Sequence, residues 1–442
     1  MEFLSNFISQ HSVLLSCMIL LFVYVMIIWD KISKVSVVLI GACITLLIGL
    51  ASSHKGHEAI NPHYFINFVD FNVIILLVSM MIIVHISAKS GMYNWAAIKF
   101  LKSTKGHPIF IFITLSIFTA VASAFLDNVT TVILVMPVTF IVARELCLDP
   151  IPFLMTEIIC SNIGGTATLI GDPPNIIIGS KAGFSFMTFL NELTGIVLVI
   201  LAISIGILLI FFRKKLHITE EEMKKINNID NSKTITNKKL MIRSIIVLSL
   251  VILGFVTHDI THIEAFLIAM AGASVLLIFE KPEEILPKIE WNTIFFFIGL
   301  FIIIGGIEAT GGIKLIAEWL LAVTKGNESA TAMIILWASG ILSGIIDNIP
   351  YTATMAPLIY QIQLVEGADY VHPLWWCLSL GACLGGNMTL IGAAANVVVA
   401  ETATNSGHKI SFRKFFKYGS IITLVSLILS SIYIYYRFLI NT

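Results

Sequence analysis

Two acidic dipeptides in strongly apolar sequence are the residues of this chain best suited to chemistry. Asp127-Asn128 lies in FLDNVTTVILVMPVT, and Asp347-Asn348 begins DNIPYTATMAPL. An acidic side chain within a bilayer costs about 2.5 to 3.5 kcal/mol on insertion scales and marks a functional site by default. Such a carboxyl group can exchange a proton for a metal ion, because burial favours its neutral form and a bound cation favours its charged form. The alternative is that each aspartate only caps the helix that follows it.

Two glycine-rich stretches offer a second kind of site. SNIGGTATLIGDPPN covers residues 161–175, and GACLGGNMTLIGAAANVVVA covers residues 381–400. Unpaired backbone groups cost several kcal/mol each in hydrocarbon, so such a stretch at membrane depth must line protein or water. Helix ends exposed there offer carbonyl oxygens to cations and N–H groups to anions. Pro173 can start a half-helix that Asp172 caps, although both residues could also serve a plain loop.

The rest of the chain is suited to a bilayer. Of its 442 residues, 57% are hydrophobic and only 12% are charged, with a mean hydropathy of +0.94, which excludes a soluble globular protein. Apolar stretches long enough to span a membrane recur throughout. The formal net charge is zero and no dense basic stripe occurs, so a nucleic-acid partner is not expected.

Other function classes lack their signatures. The six cysteines show no CxxC spacing, so neither a disulfide framework nor a zinc site is expected. No HExxH, GxSxG or phosphate-binding loop occurs, which argues against an enzyme and against ATP hydrolysis by this chain. The first apolar stretch has no basic leader and no small-residue cleavage site, so we expect a retained helix and not a signal peptide.

The sequence repeats itself at an offset of 220 or 221 residues. The best matches are LDNV at 126–129 with IDNI at 346–349, and GGTATLIG at 164–171 with GGNMTLIG at 385–392. Each half contains two spans, a third helix with an amphipathic tail, a hairpin interrupted at Asp-Asn, a helix broken at Gly-Gly, and a final span. If the hairpin re-enters and leaves on one side, each half crosses five times, and the odd number makes the repeats inverted.

The repeat predicts the organisation of the chain. Repeat 1 covers residues 1–213, repeat 2 covers residues 240–442, and residues 214–239 form a cytoplasmic linker rich in Lys, Glu and Asn. The predicted hairpins are residues 107–146 and 328–364, and the predicted broken helices are residues 152–179 and 373–400.

Lysine and arginine positions predict the orientation, because cytoplasmic loops collect them. With the N-terminus outside, 22 of the 27 Lys and Arg residues, among them Lys34 and Lys105, fall on the cytoplasmic side, whereas Lys325 falls outside. One crossing more or fewer would disturb this division. We therefore expect a multi-pass protein of the cytoplasmic membrane with both termini outside.

The hairpin and glycine-rich motifs resemble those of the ion transporter superfamily over nearly the whole chain. The branch is that of arsenite permeases, D-type sodium/proton antiporters and the pink-eyed dilution (P) protein, with a citrate-transporter-like domain. The resemblance implies a fixed scaffold domain from the first helices of each half, a mobile transport domain, a homodimer and elevator-type alternating access. Metalloid permeases of this kind also leave room for a separate ATPase subunit.

More distant dicarboxylate/sodium symporters share this plan but have a Ser-Asn-Thr motif at each hairpin tip. Residues 127–130 (DNVT) and 347–350 (DNIP) depart from that motif. The departure disfavours a sodium-coupled dicarboxylate mechanism and favours a protonatable site.

The expected fold is an all-α polytopic membrane protein of two inverted repeats, with about ten transmembrane helices, two re-entrant hairpins and two broken helices. The expected function is secondary active transport of a small inorganic ion or an arsenite-like metalloid oxyanion, coupled to protons or sodium. Three alternatives remain: a sodium/proton antiporter, a sodium-coupled dicarboxylate or citrate carrier, and an ion channel. No cofactor is expected apart from bound Na⁺ or H⁺ as the coupling ion.

The predicted site joins the hairpin tips to the broken helices. The tip residues are Asp127, Asn128, Thr130, Asp347, Asn348 and Thr352, of which Asp127, Asn128, Asp347 and Asn348 are candidate Na⁺ ligands. The broken-helix residues are Ser161, Asn162, Gly164, Gly165, Thr166, Thr168, Asp172, Asn175, Gly385, Gly386, Asn387, Thr389 and Asn396. Glu157 is a further candidate, and Cys160 and Cys383 are either soft ligands for trivalent arsenic or packed thiols.

Overall fold

The computed structural model describes residues 10–29, 31–47, 49, 67–217 and 235–440, and all regular elements in these residues are helical. The first half contains α1 (Ser12–Trp29), α2 (Lys34–Leu47), α3 (Phe71–Lys89), α4 (Met92–Ser103), α5 (Pro108–Phe125), α6 (Asn128–Glu145), α7 (Ile151–Gly165), α8 (Pro173–Ala182) and α9 (Phe186–Phe212). The second half contains α10 (Lys238–Val256), α11 (Ala265–Leu277), α12 (Trp291–Ala309), α13 (Gly312–Thr324), α14 (Glu328–Ile346), α15 (Asn348–Glu366), α16 (Ala368–Gly385), α17 (Ala394–Asn405) and α18 (Phe412–Ile434).

Among the described residues, the two halves share the same nine longer helices in the same order. Both ends of α3 lie 220 residues before those of α12. Gly91 and Gly311 are the N-cap residues of α4 and α13 and share a φ of 83°, a left-handed conformation that glycine adopts without strain. The predicted hairpins correspond to α5–α6 and α14–α15, and the predicted broken helices to α7–α8 and α16–α17. Of the predicted linker, residues 218–234 lie outside the described residues.

Local chemistry explains where these helices start. The Asp70 carboxylate accepts the backbone N–H groups of Asn72 and Val73 at the start of α3, as an N-cap does. Proline is the first residue of α5 and of α8, where its fixed φ suits a helix and its missing N–H removes no bond.

The halves interlock by exchanging equivalent contacts. Helix α2 packs on α12, and α11 packs on α3. In the same way, α8 packs on α15 and α17 packs on α6. Helices α7 and α16 lie at the centre, where residues 152–165 and 373–385 are buried without interruption. The broken helices are therefore enclosed by protein, as their interrupted backbone requires.

The helices identify a multi-pass membrane protein. Nine of the described helices are long and apolar enough to cross a bilayer, or ten if Ala265–Leu277 and Pro282–Lys288, bent by 112°, form one span. Helices α5, α6 and α14 of the hairpins are among the nine. Their 18 or 19 residues span about 27 Å, so a full crossing is as feasible as re-entry. Either path returns the chain to one side, and the re-entrant path stays a prediction.

Candidate functional site

The first hairpin turns at Asp127, whose carboxylate caps α6. The Thr130 backbone N–H donates to Oδ1 at 2.9 Å, and the Thr130 hydroxyl donates to Oδ2. Asn128 is buried; its Oδ1 accepts from Ser123 Oγ at 2.5 Å, and its backbone carbonyl accepts from Ser161 Oγ at 3.3 Å. Asp127 thus has the capping role that the sequence left open, and Asn128 joins the hairpin to the broken helix.

The second hairpin turns at Asp347 in a different way. This residue has a φ of 109°, which is strained for a residue other than glycine. Its Oδ1 accepts from the Ile349 backbone N–H at 3.3 Å, and its Oδ2 accepts from Lys34 Nζ at 3.0 Å. The Asn348 backbone N–H donates to the carbonyl of Gly392 at 3.1 Å, so this tip is also joined to a break.

Side chains replace the missing helical hydrogen bonds in the first break. The Thr168 hydroxyl donates to the Ala124 carbonyl in α5 and accepts the Gly171 backbone N–H at 3.1 Å. Asn175, at the start of α8, donates through Nδ2 to the carbonyls of Thr166 and Thr168 at 3.1 and 2.9 Å. The break is therefore a fixed backbone structure and not a loose loop.

The second break has the same arrangement. The Thr389 hydroxyl donates to the Gly344 carbonyl in α14 at 2.6 Å and accepts the Gly392 backbone N–H at 3.2 Å. Asn396 donates through Nδ2 to the carbonyls of Gly386 and Thr389 at 2.7 and 2.8 Å. Equivalent threonine and asparagine residues of the two repeats thus form equivalent hydrogen bonds to the interrupted backbone.

Amide side chains connect the two breaks across the molecule. Asn175 Oδ1 accepts from Ser379 Oγ of α16 at 2.6 Å. Asn162 of α7 donates through Nδ2 to Asn387 Oδ1 at 2.9 Å and to Asn396 Oδ1 at 3.0 Å. Each half therefore contributes polar groups to the other half's broken helix.

Asp172 lies between the two hairpin tips. It occupies the N-cap position of α8, yet its side chain makes no capping hydrogen bond, so the predicted capping role is wrong. Instead both of its oxygens lie 3.2 Å from Nδ2 of Asn348, and the Asn128 side chain also contacts it. The carboxylate is 1% exposed and faces both tip asparagines. A residue of the first break thereby recognises the hairpin of the other half.

Glycines permit the close approach of these backbones. A Cβ on Gly164 would lie 2.1 Å from the carbonyl oxygen of Ala120, and one on the equivalent Gly385 would lie 2.5 Å from that of Gly340. A Cβ on Gly165 would lie 2.4 Å from the side-chain oxygen of Asn128 in the first hairpin tip. These distances are shorter than any van der Waals contact, so larger side chains cannot fit without movement.

Other predicted residues have buried polar atoms without partners among the described residues. The Thr352 hydroxyl near the second tip is one of them. Glu157 accepts from the Thr139 hydroxyl through Oε1, whereas its Oε2 has no partner and the residue is 1% exposed. Glu157 therefore lies in the buried interior of the first half, one helical turn from Ser161.

The two cysteines of the breaks have different surroundings. Cys383 Sγ donates to Asn175 Oδ1 at 3.6 Å and belongs to the hydrogen-bonded network. Cys160 is buried in the apolar core beside α5. Within the described residues, no group of three His, Cys, Asp or Glu side chains could hold a metal ion. A cation bound here would therefore rely on amide, hydroxyl and backbone oxygens beside single carboxylates.

Some site residues were not predicted from the sequence. The Ser123 hydroxyl donates to Asn128, and the Ser379 hydroxyl donates to Asn175. Nothing in the sequence distinguishes these two serines from the other serines of apolar segments. Lys34 was counted only as a cytoplasmic charge, although it pairs with Asp347. The sequence feature that could have indicated this pair is Pro350, which stands in the second tip where the first has Thr130. Proline lacks the two donors that Thr130 offers to Asp127, so Asp347 needs another partner.

Comparison with known proteins identifies relatives of the whole chain. The model of a family described as citrate transporter matches residues 24–381. An uncharacterized transporter of Mycobacterium tuberculosis is 40% identical over 94% of this chain and 96% of that protein. A 46 kDa membrane protein of Mycobacterium leprae is 38% identical over 94% of this chain and 97% of that protein.

A more distantly related sequence and a solved structure are also similar to this chain over most of its length. The P protein of Homo sapiens is 30% identical over 94% of this chain, which spans 59% of the P protein. This match confirms the resemblance seen in the four motifs. The crystal structure of the Alcanivorax borkumensis YdaH transporter, described as having an unusual topology, is similar with a TM-score of 0.56 over 96% of this chain and 97% of that chain. At 12% identity, that likeness concerns the fold alone.

Proposed function

The chain belongs to the citrate transporter family and is a membrane transporter, and we propose that it is a secondary active carrier of a small solute, coupled to protons or sodium. The hairpin tips and broken helices form its solute and ion site. Alternating access occurs by elevator-type movement of the helices that carry this site against α1–α3 and α10–α12. The homodimer and the separate ATPase subunit are expectations from the resemblance.

The convergence of both tips and both breaks on Asp172 is the observation that carries this proposal. Its carboxylate faces Asn348 and Asn128, and amide side chains link the two breaks to each other. Backbone interrupted at membrane depth is tolerated only where it is buried in protein or lines a cavity, and carriers use such interruptions to bind solutes and ions. A mere structural turn has no need of matching polar networks from both halves.

The charge balance of the site restricts the solute. Among the described residues, Asp127, Asp172 and Asp347 contribute three carboxylates, against the one ammonium group of Lys34. An anion entering this site must bring cations with it, because uncompensated like charges repel strongly in a buried environment. Arsenous acid, which is uncharged near neutral pH, avoids that repulsion and finds hydroxyl and amide partners. We therefore propose it as the first solute to test.

Citrate is the second candidate, and the family model that matches this chain favours it. As a multiply charged anion, citrate would need sodium ions, protons or a divalent cation bound beside it. Uptake of citrate should therefore depend steeply on the cation supplied, whereas arsenite transport should depend on it less.

The test is solute flux into proteoliposomes that contain the purified chain. Arsenite, citrate and sodium are each offered under imposed proton and sodium gradients, with the wild type, Asp127→Asn and Asp347→Asn. We expect accumulation against a gradient that a protonophore or sodium ionophore abolishes, and a loss of coupling in Asp127→Asn. Asp347→Asn separates the two tips, because its carboxylate pairs with Lys34. Coupled transport that is unchanged in both variants would exclude the two carboxylates from ion coupling.

The same experiment separates the remaining functions. Sodium flux driven by a proton gradient, without any other solute, would identify a sodium/proton antiporter. Purely downhill flux that no gradient can reverse would identify an ion channel and remove the carrier proposal.

A further inference from the structure

The ion pair between Lys34 and Asp347 distinguishes the two hairpin tips. Lys34 Nζ lies 3.0 Å from Asp347 Oδ2, and the side chains are 24% and 6% exposed. Asp127, the equivalent residue of the first tip, lies in no ion pair within the part of the chain that the structure describes. Two aspartates at matching positions are therefore stabilised in different ways.

One residue difference at the tips explains why. Thr130 supplies both its backbone N–H and its hydroxyl to Asp127. The equivalent residue of the second tip is Pro350, which has neither donor. The carboxylate of Asp347 keeps only the Ile349 backbone N–H, at 3.3 Å, and its second oxygen turns to Lys34.

The other half has no equivalent lysine. Gly41 of α2 faces Val23 and Ile303, and Gly272 of α11 faces their counterparts Val251 and Ile83. These contacts align the two helices, and they place Ala265 at the position of Lys34, each as the first residue of its helix. The ammonium group is therefore an addition to one half of an otherwise repeated structure.

The start of α2 is an unfavourable position for a lysine unless a carboxylate neutralises it. The N-terminus of a helix carries a partial positive charge that disfavours a cation, and α2 has no acidic residue in its first turn. The pair also joins α2 to a hairpin tip that contacts Asp172 and the second break.

We propose that the Lys34 ammonium group is a tethered cation, which fills at Asp347 the position that a monovalent metal ion would otherwise occupy. In the conformation that the structure describes, the exchangeable cation is then confined to the other tip, at Asp127. This inference rests on the proposed function only for its consequence, which is that the ion pair must break when the hairpin moves against α2.

The experiment replaces the lysine and asks whether a free cation takes over its role. Lys34→Met is purified beside the wild type, and thermal unfolding is measured in sodium chloride and in choline chloride at one pH. We expect the melting temperature of Lys34→Met to rise by several degrees on going from choline to sodium, well beyond any rise in the wild type. Lys31→Met is the matched control, because Lys31 is exposed beside the Trp29 ring and should show the wild-type response.

A second variant separates charge from packing. In Lys34→Met/Asp347→Asn the second tip has no carboxylate that needs a cation, so the sodium response should return to that of the wild type and stability in choline should exceed that of Lys34→Met. If Lys34→Met responds to sodium no more than the wild type, or if the double variant is as unstable as the single one in both salts, the proposal is wrong.

This readout does not depend on finding a solute. A chain that moves none of the tested solutes would refute the proposed carrier function while leaving the sodium response measurable.

Discussion

At the scale of single residues, the two repeats differ at positions that determine the charge of the site. Asp172-Pro173-Pro174 in the first break is replaced by Ala393-Ala394-Ala395 in the second. Only the first break therefore provides a carboxylate, and that carboxylate binds the tip asparagine of the opposite half. The two halves share a backbone plan, but they cannot contribute equally to the binding of ions.

Replacing Asp172 with Asn tests this asymmetry. The change keeps the size of the side chain and removes its negative charge. In the wild type, Asn348 Nδ2 donates to both carboxylate oxygens of Asp172 at 3.2 Å. Charge-assisted hydrogen bonds contribute about 1.5 to 3 kcal/mol, so we expect coupled flux to fall by roughly 10- to 100-fold. The measurement is initial flux in proteoliposomes at equal protein content.

Asp149→Asn is the control for that variant. Asp149 forms a half-exposed ion pair with Lys215 at 2.9 Å, outside the site, and such pairs contribute about 0 to 1 kcal/mol. Its flux should equal that of the wild type. Wild-type coupled flux in Asp172→Asn would mean that this carboxylate has no part in transport.

At the scale of elements, each broken helix packs against the first helix of its own hairpin with no room for side chains. Gly164 of α7 and Gly385 of α16 contact the carbonyl oxygens of Ala120 and Gly340 respectively. The obstructing atoms are backbone, which cannot move away by changing a rotamer. The contact therefore requires glycine in both repeats.

Gly385→Ala should consequently destabilise the protein. A Cβ placed 2.5 Å from the Gly340 oxygen forces two buried helices apart, and overpacking of this kind costs about 1 to 3 kcal/mol. We expect a lower melting temperature and a smaller monodisperse peak in size-exclusion chromatography. Gly195→Ala in α9 is the matched control, since a Cβ there meets nothing within 4 Å, and a wild-type melting temperature in Gly385→Ala would refute the packing argument.

The positions of these elements were largely predictable, because the residues that interrupt or start their helices are local in the sequence. Asp-Asn and Gly-Gly interruptions, proline at the start of α8 and the 220-residue repeat place the hairpins and breaks within a few residues of the helices observed. The partners of the interrupting side chains were not predictable in this way. Asp172 was expected to cap its own helix, but its partner Asn348 is brought to it by the folding of the other half.

At the scale of the whole molecule, the sequence predicts the halves but not how they interlock. The packing of α2 on α12 and of α11 on α3 joins segments that are hundreds of residues apart. No local pattern encodes such pairings, since apolar membrane helices offer similar surfaces to many partners. For the same reason Lys34 could be read from sequence only as a cytoplasmic charge, and its partner appeared only in the folded chain.

The inverted orientation of the repeats is the prediction that belongs to the whole molecule. Lys105 and Lys325 occupy the same exposed turn of the two repeats, with φ values of 53° and 54°. The distribution of Lys and Arg places Lys105 inside and Lys325 outside. Equivalent residues on opposite faces of one membrane are the direct signature of inversion.

Single cysteines at these two positions test the inversion, in a background in which the exposed Cys43 and Cys147 are serine. A membrane-impermeant maleimide applied to intact cells should label Lys325→Cys, and it should label Lys105→Cys only after permeabilisation. Because the two turns share their conformation and exposure, a difference in labelling reports the side of the membrane and not local reactivity. Labelling of both variants from one side would mean that the repeats are parallel, and the number of crossings in each half would then be even.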